Sequence, residues 1–223
     1  MKIALLSDVH ANLAALDAVI ADLPPVDAIL FAGDAVGYYV HPNEVCERLR
    51  AIGARCVRGN HDNYVTGAAE PNAERRAAYA TDWTREQLTP ENLDWLTALP
   101  AELTVEAEGF TVTVRHASPW DEESYLYPDS DRLGDVTLAA DQILVLGHTH
   151  HPMTVAAGAG LLINPGSVGQ PRDWNPLASY AILSLPEVEV ETRRVAYDVA
   201  AVQEELRALG WSAGSIGILS RRR

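Results

Sequence analysis

The chain begins with a short apolar run, Ile3–Leu6, that ends abruptly in an acid and a histidine two residues apart, Asp8 and His10. Apolar residues belong in a core, and titratable side chains at its rim need partners or a function. A segment with apolar residues at helical spacing follows and is stopped by Pro24–Pro25, and a second apolar run, Asp27–Ala32, comes next. Strands that alternate with helices in this way predict an α/β fold with a parallel sheet.

The second half of the chain is richer in strand patterns. Residues 71–98 are predicted to be helical, and alternating residues on either side of Glu108–Gly109 predict a β-hairpin. Residues 117–133 are polar and aromatic, which predicts a long surface loop that either forms a lid over a bound molecule or covers the core. Further strand patterns and a final helix follow. We expect two mixed sheets packed face to face with helices outside, in one domain spanning residues 1–223.

The balance of charge excludes one class of partner. The chain has 17 Lys and Arg against 31 Asp and Glu, a formal net charge of -14. Such a surface repels phosphate backbones at long range, so we expect no extended nucleic-acid partner. A small phosphorylated substrate is compatible with this net charge if a metal ion supplies local positive charge. We interpret the terminal Arg221–Arg223 as a solvated basic tail.

Hydropathy and cysteine content indicate the cellular compartment and argue against membrane spans and disulfides. No stretch approaches the roughly 18 apolar residues of a membrane span, so we expect no membrane partner. The N-terminal run is too short and too soon charged for a signal peptide, so we expect a cytoplasmic protein. Cys46 and Cys56 predict neither a disulfide framework nor a zinc knuckle. A homodimer would be ordinary for such a protein, and nothing in the sequence demands one.

Titratable residues fall just beyond the ends of the predicted strands, where open α/β sheets place their sites. The segments that carry them are SDVH, AGDAVG, RGNHDN, VRHAS and LGHTHH. Of the seven histidines of the chain, five lie at these strand ends, namely His10, His61, His116, His148 and His150. The candidate metal ligands are Asp8, His10, Asp34, Asn60, His116, His148 and His150.

These candidates predict a metal centre as a set, although a lone His116 would predict a structural histidine. So many imidazoles and carboxylates in one place would otherwise repel each other or go unpaired. Seven ligands exceed the need of one open site, and one shared carboxylate divides them into two sites of four, suited to ions about 4 Å apart. The mixed donors favour Mn, Fe, Co, Ni or Zn. We expect Asp8 and His10 to reach one ion because alternate residues of an extended segment point the same way.

The motifs SDVHAN, GDAVGYY, GNHD, His116 and GHTH, in this order and followed by INPGSVGQPRD, resemble those of the calcineurin-like metallophosphoesterases. The resemblance runs from Met1 to about Tyr180 and is strongest to the small prokaryotic phosphodiesterase branch. It implies a four-layer α/β/β/α sandwich of two mixed sheets flanked by helices. It also implies that Asp34 bridges two ions, with Asp8, His10 and His150 on the first and Asn60, His116 and His148 on the second.

The resemblance further implies a reaction. A hydroxide that bridges the two ions attacks phosphorus in line while the cations hold the non-bridging oxygens. His61 occupies the family position that meets the scissile phosphate and helps the leaving group depart. Ala11 stands where many relatives have Gly, and Trp174–Asn175 interrupts the usual run after PRD. These departures affect the substrate loops and leave the metal ligands unchanged.

We therefore expect a phosphodiesterase acting on small phosphorylated or nucleotide substrates, since some members of the branch hydrolyse diadenosine tetraphosphate. A phosphomonoesterase with the same metal centre is the alternative, and a non-catalytic scaffold of the same fold, marked by loss of ligands, is a third. We take Arg172 and Tyr38 as candidates for substrate binding. Arg172 either reaches a phosphate or forms a surface ion pair, and Tyr38 either stacks on a nucleobase or packs within its loop.

Overall fold

The computed structural model describes residues 1–222, so Arg223, the last residue of the predicted domain and of the basic tail, lies outside the described residues. Ten strands form two five-stranded sheets. The strands are β1 (Lys2–Leu6), β2 (Ala28–Phe31), β3 (Arg55–Cys56), β4 (Glu102–Ala107), β5 (Phe110–Arg115), β6 (Gln142–Val145), β7 (Met153–Ala157), β8 (Gly160–Asn164), β9 (Ala178–Ser184) and β10 (Glu189–Val195).

Seven α-helices and two short 3-10 helices, Asp131–Asp135 and Ile218–Ser220, connect or flank these strands. No helix within residues 1–222 has the length and apolar character needed to cross a membrane. The α-helices are α1 (Leu13–Asp22), α2 (Pro42–Ala51), α3 (Asn60–Thr66), α4 (Thr81–Gln87), α5 (Pro90–Ala98), α6 (Val199–Ala208) and α7 (Ala213–Gly217).

Both sheets are mixed. The first has the order β10-β9-β1-β2-β3, in which β1, β2 and β3 are parallel and β9 and β10 are antiparallel additions. The second has the order β4-β5-β6-β8-β7, in which β5, β6 and β8 are parallel and the outer strands are antiparallel. The prediction of two mixed sheets flanked by helices is confirmed, and in each sheet the parallel strands end at a common edge.

The alternation of side chains along β1 explains why its apolar run is continuous. Ile3 and Leu5 pack between the two sheets, whereas Ala4 and Leu6 pack against the helices on the other face. All four residues are completely buried. A strand covered on both faces needs apolar residues at every position, whereas a strand with one exposed face needs them only at every second position.

The outer face of the second sheet has a different cover. Leu144 and Leu162 point away from the first sheet and pack against Leu126, which belongs to the long polar segment, and Val136, which directly follows the 3-10 helix Asp131–Asp135. Part of the predicted surface loop therefore covers a core.

The C-terminal helices pack on the loops that follow β1 and β2. Leu206 of α6 is fully buried in a cluster that includes Ala11 and Tyr39. The indole Nε1 of Trp211 donates a hydrogen bond of 2.7 Å to the carbonyl oxygen of Tyr38. The end of the described chain is thus attached directly to the loop that carries Asp34.

Two local differences from the predictions have clear causes. The prediction of helix over residues 71–98 is wrong for residues 71–80, which contain turns and no helix, and is confirmed for α4 and α5. These two helices are separate because Pro90 holds Thr89 in an extended conformation, with ψ of 152°. Helix α3 was not predicted. It begins inside the GNHD motif, where the carboxylate of Asp62 accepts the N–H of Gly59 at 2.9 Å and so caps its first turn.

Candidate metal centre

The seven candidate ligands converge where the carboxyl ends of the two sets of parallel strands meet. Strands β1, β2 and β3 deliver four of them from the first sheet, and β5 and β6 deliver three from the second. All seven side chains are buried. Their donor atoms include two groups whose members lie within 4.8 Å of one another, namely Asp8, His10 and His150, and Asp34, His116 and His148.

In the first group, two imidazole nitrogens face each other. The Nε2 atoms of His10 and His150 are 3.1 Å apart. The Oδ1 atom of Asp8 lies 3.2 Å from His150 Nε2 and 3.7 Å from His10 Nε2. The Oδ2 atom of Asp34 lies 3.7 Å from His10 Nε2.

In the second group, an amide oxygen joins two further imidazoles. Asn60 Oδ1 lies 3.0 Å from His116 Nε2 and 2.9 Å from His148 Nδ1. His116 Nε2 also lies 3.2 Å from Asp34 Oδ2. The same carboxylate oxygen of Asp34 therefore borders both groups.

The tautomer of each imidazole is set by the ring nitrogen that points away from the groups of donor atoms. In all four histidines that nitrogen lies within hydrogen-bond distance of a backbone carbonyl, which only accepts, so it carries the proton and the nitrogen that faces the group has a free lone pair. The four pairs are His10 Nδ1 with Val36 O at 3.2 Å, His116 Nδ1 with Ala32 O at 2.7 Å, His150 Nδ1 with Gln170 O at 2.6 Å, and His148 Nε2 with Glu123 O at 3.0 Å.

These tautomers make both groups clusters of acceptors. Lone pairs of imidazole, carboxylate and amide face each other in a buried space, an arrangement that repels itself unless a cation lies between them. Burial opposes protonation of His116, but the carboxylates of Asp34 and Asp8 outweigh it and raise the pKa of His116 to about 10, so a proton competes with a metal ion for the lone pair of its Nε2. The centre therefore attracts positive charge, and its donor set fits divalent transition-metal ions.

The ligands are held by an unusual backbone. Asp8, His10, Asp34, His148 and His150 all have φ between +52° and +66°, the left-handed region that residues other than Gly rarely adopt. Each such residue costs on the order of 1–3 kcal/mol and persists only where its surroundings enforce it. The expectation that Asp8 and His10 lie in an extended segment is wrong, because two left-handed residues bring their side chains to one side.

Asp62 is a buried residue of this centre whose role the sequence analysis missed. Its carboxylate accepts backbone N–H groups from Asp34 at 3.0 Å, Val36 at 3.2 Å and Gly59 at 2.9 Å. It therefore ties the loop after β2 to the start of α3. Burial, together with the nearby charge of Asp34, raises the pKa of Asp62 to about 7.

His61 lies beside the first group, with its ring among aromatic neighbours. The ring centroid is 4.5 Å from that of Tyr79, 4.7 Å from that of Tyr38 and 4.9 Å from that of His10. Its backbone N–H donates a 2.8 Å hydrogen bond to Asp34 Oδ1. Burial lowers the pKa of His61 to about 4. These aromatic contacts hold the imidazole in place. Position 37 must be Gly for the ring to fit, because a Cβ there would lie only 2.8 Å from His61 Nδ1.

The two predicted substrate-binding residues lie together next to His61. The guanidinium of Arg172 donates hydrogen bonds to the hydroxyl of Tyr38 at 3.0 Å and to Oε1 of Gln170 at 2.6 Å. Among residues 1–222 no carboxylate oxygen lies within 4.0 Å of it, so the alternative of a surface ion pair is not found. The ring of Tyr38 packs edge-on against His10, at 4.8 Å between centroids.

The long segment after β5 also contributes to the centre. The ring of Tyr125 stacks on that of His148, with 4.0 Å between centroids. The hydroxyl of Tyr64 donates to the carboxylate of Glu123 at 2.7 Å, and the carbonyl of Glu123 holds His148. The aromatic content of this polar segment was the signal for such a contact.

A buried cluster of imidazole, carboxylate and amide donors lies at the meeting edges of two mixed sheets. The sequence pattern of the calcineurin-like phosphoesterase superfamily domain matches residues 1–187, and the chain belongs to this superfamily. Family and donor cluster together make it a metal-dependent phosphoesterase.

Individual proteins resemble the chain in sequence or in fold. The chain is 36% identical over 222 residues to the uncharacterised protein MJ0912 of Methanocaldococcus jannaschii, covering 92% of this chain and 91% of that protein. It is 33% identical to a metallophosphoesterase of Sphaerobacter thermophilus, whose crystal structure superposes with a TM-score of 0.81 over 99% of this chain and 98% of the other. The hypothetical protein PH1004 of Pyrococcus horikoshii shares the fold, with a TM-score of 0.84 at 18% identity, over 100% and 99% of the two chains.

The role of Asp62 predicts a specific effect on stability. In Asp62→Asn one acceptor oxygen becomes an NH₂ group that faces a backbone donor, so we expect the free energy of unfolding to fall by about 1–3 kcal/mol. Urea denaturation followed by circular dichroism measures this change. The control is Asp82→Asn, which alters an exposed carboxylate paired with Arg76 and should leave the free energy of unfolding nearly unchanged. Equal losses in the two variants would contradict the role of Asp62.

Proposed function

We propose that this protein is a dinuclear phosphodiesterase that acts on small phosphorylated or nucleotide substrates. The observation that carries the proposal is the position of one oxygen atom. Asp34 Oδ2 lies 3.7 Å from His10 Nε2 in the first group and 3.2 Å from His116 Nε2 in the second. A carboxylate shared in this way suits two neighbouring cations better than one.

The chain supplies a complete donor set for two ions of Mn, Fe, Co, Ni or Zn. Such ions, when bound, supply Lewis acidity toward water and neutralise charge on the phosphoryl oxygens. The backbone carbonyls that fix each imidazole tautomer keep the lone pairs directed into the centre. The proposed ligands are Asp8, His10 and His150 for one ion, Asn60, His116 and His148 for the other, and Asp34 for both.

His61 is proposed as the catalytic residue. In the described part of the chain its ring nitrogens have no hydrogen-bond partner, although the ring is held firmly by Tyr38 and Tyr79. A neutral imidazole in this position is free to donate its N–H to the ester oxygen that departs as the P–O bond breaks. The contact between its backbone and Asp34 Oδ1 keeps this donor next to the proposed ions.

Arg172 and Tyr38 are proposed to bind the substrate. The guanidinium is fixed by Gln170 and by the Tyr38 hydroxyl and has no carboxylate to neutralise it among residues 1–222. A fixed, uncompensated guanidinium is suited to a phosphoryl oxygen. It also compensates locally for the net charge of -14, which would otherwise repel an anionic substrate.

A phosphomonoesterase with the same centre is the second candidate. Arg172 favours it, since a dianionic monoester gains more from a guanidinium than a monoanionic diester does. A diester requires room for two ester groups, and a cavity of about 520 Å³ beside Tyr38 and Arg172 supplies it. The scaffold alternative loses support because every proposed ligand is present and in reach of its group.

The partners proposed for this reaction are small molecules. The acidic surface argues against extended nucleic acid, as the composition predicts. A homodimer stays a prediction of the sequence analysis.

A substrate panel tests the proposed reaction. With Mn²⁺ present we expect hydrolysis of bis-p-nitrophenyl phosphate with a higher kcat/KM than that of p-nitrophenyl phosphate, and loss of both activities after removal of metal by a chelator. Release of p-nitrophenol is followed by absorbance. Faster hydrolysis of the monoester would favour the phosphomonoesterase, and activity that survives complete metal removal would contradict a metal-dependent reaction.

The shared position of Asp34 predicts metal contents that differ between variants. After dialysis against Mn²⁺, His148→Ala should retain about one ion per chain, whereas Asp34→Ala should retain fewer because both sites lose a ligand. Metal analysis by inductively coupled plasma mass spectrometry gives these numbers. His41→Ala, which changes a histidine paired with Glu205 away from the centre, should match the wild type. Equal metal contents in the Asp34 and His148 variants would show that Asp34 is not shared.

The proposed role of His61 predicts that its replacement lowers kcat without lowering the metal content. His61→Ala should lower kcat by about 10²–10³-fold, the usual cost of losing one positioned hydrogen-bond donor to a developing negative charge, with metal content near that of the wild type. Steady-state kinetics on bis-p-nitrophenyl phosphate and metal analysis of the same sample measure both quantities. A parallel loss of metal would instead make His61 part of the metal centre.

A further inference from the structure

A cavity of about 520 Å³ lies beside the candidate metal centre, since its lining includes Tyr38, which packs against His10, and Tyr125, which stacks on His148. Its walls come from the loops near the ligands, from the segment before α4, and from the C-terminal segment around α7. The lining residues used here are Tyr38, Arg75, Tyr79, Arg172, Ser215 and Arg221.

Three guanidinium groups line this one cavity in a strongly acidic chain. Among residues 1–222, none of Arg75, Arg172 and Arg221 has a carboxylate oxygen within 4.0 Å. Arg76 shows the contrast, since it pairs with Glu70 at 2.8 Å and with Asp82. Uncompensated cations collected around a concave surface create a local positive potential that attracts anions.

The wall that carries Arg221 lies outside the part of the chain that matches the superfamily, which ends at residue 187. This wall is nevertheless firmly attached to the centre. Ile216 and Leu219 are buried in the cluster that contains Tyr39, and Trp211 donates its hydrogen bond to the Tyr38 carbonyl. The backbone of the segment that carries Arg221 is therefore anchored next to the loop of Tyr38 and Tyr39.

We propose that the cavity binds a second phosphate group of the substrate, distinct from the phosphate whose ester bond is broken. The substrate class is then a phosphodiester that also carries a phosphomonoester, as in a nucleotide phosphorylated at a second position. This inference rests on the proposed function, because it describes the substrate of the same site. Guanidinium forks recognise phosphate oxygens in pairs, and Arg75 and Arg221 are available for this contact.

Arg172 connects the two parts of the site. It contacts Tyr38, whose ring packs against His10 and His61, and it also lines the cavity. A substrate that places one phosphate at the metal centre and another between Arg75 and Arg221 would therefore pass along Arg172. The proposal assigns the C-terminal segment a role in selecting substrates.

Two chromogenic substrates that differ in one group test this inference. They are the p-nitrophenyl ester of thymidine 5′-phosphate and the same ester with an additional 3′-phosphate, assayed with Mn²⁺. We expect the wild type to have at least about a tenfold higher kcat/KM for the 3′-phosphorylated ester. Arg75→Gln and Arg221→Gln should each reduce this ratio several-fold, mainly through KM, and the double variant should bring it near one.

Arg222→Gln is the matched control, because it removes the same charge from the neighbouring residue, which does not line the cavity. It should keep the wild-type ratio. Equal kcat/KM values of the wild type for the two esters would overturn the inference. A reduction of the ratio in Arg222→Gln as large as in Arg221→Gln would also overturn it, since it would show long-range attraction without a binding site.

A binding measurement separates this inference from the proposed reaction. Calorimetric titration should show that thymidine 3′,5′-bisphosphate binds more tightly than thymidine 5′-phosphate, with the difference lost in the Arg75 and Arg221 variants. If this holds while neither ester is hydrolysed, the proposed reaction is wrong and the phosphate site stands. If both esters are hydrolysed equally and the two nucleotides bind equally, the reaction stands and the phosphate site is wrong.

Discussion

The carboxylate of Asp34 is the point on which the arrangement of the centre depends. Its Oδ2 borders both groups of acceptors, and its Oδ1 receives the backbone N–H of His61. Its own N–H is bound by Asp62, and its carbonyl accepts the N–H of His10 at 3.0 Å. One residue thus links the ends of three strands of the first sheet and the histidine delivered by β5.

Apolar packing of the two sheets offsets the unfavourable free energy of this crowded centre. Left-handed backbone at five ligands and facing lone pairs both oppose folding, and neither is relieved locally. The compensation comes from apolar burial: Ile3 and Leu5 lie between the sheets, and Ala4 and Leu6 lie beneath the helices. The strands are rigid because both of their faces are packed, so the short turns beyond them keep conformations that an isolated peptide would abandon.

Much of the fold and of the candidate centre could be predicted from the sequence because its signals are local. Apolar runs locate the strands, and the residue after each run identifies the candidate donors. The left-handed turns at Asp8 and His10 could not be predicted, since no Gly marks them. The role of Asp62 could not be predicted because its partners are backbone N–H groups. Nearly every residue has such a group, so no residue type in the sequence marks the partners. The contact of Trp211 with Tyr38 joins residues 173 positions apart, and no local pattern announces it.

The central position of β1 has a consequence for the order of assembly. This strand lies between β2 and β9, and β9 ends only at Ser184. The turn at Asp8 also takes hydrogen bonds from Ser167 and Gly169. Strand β1 and the turn at Asp8 are therefore complete only when residues up to Ser184 are available, so the cation-binding centre depends on contacts such as that between Asp8 and Ser167, which are 159 positions apart.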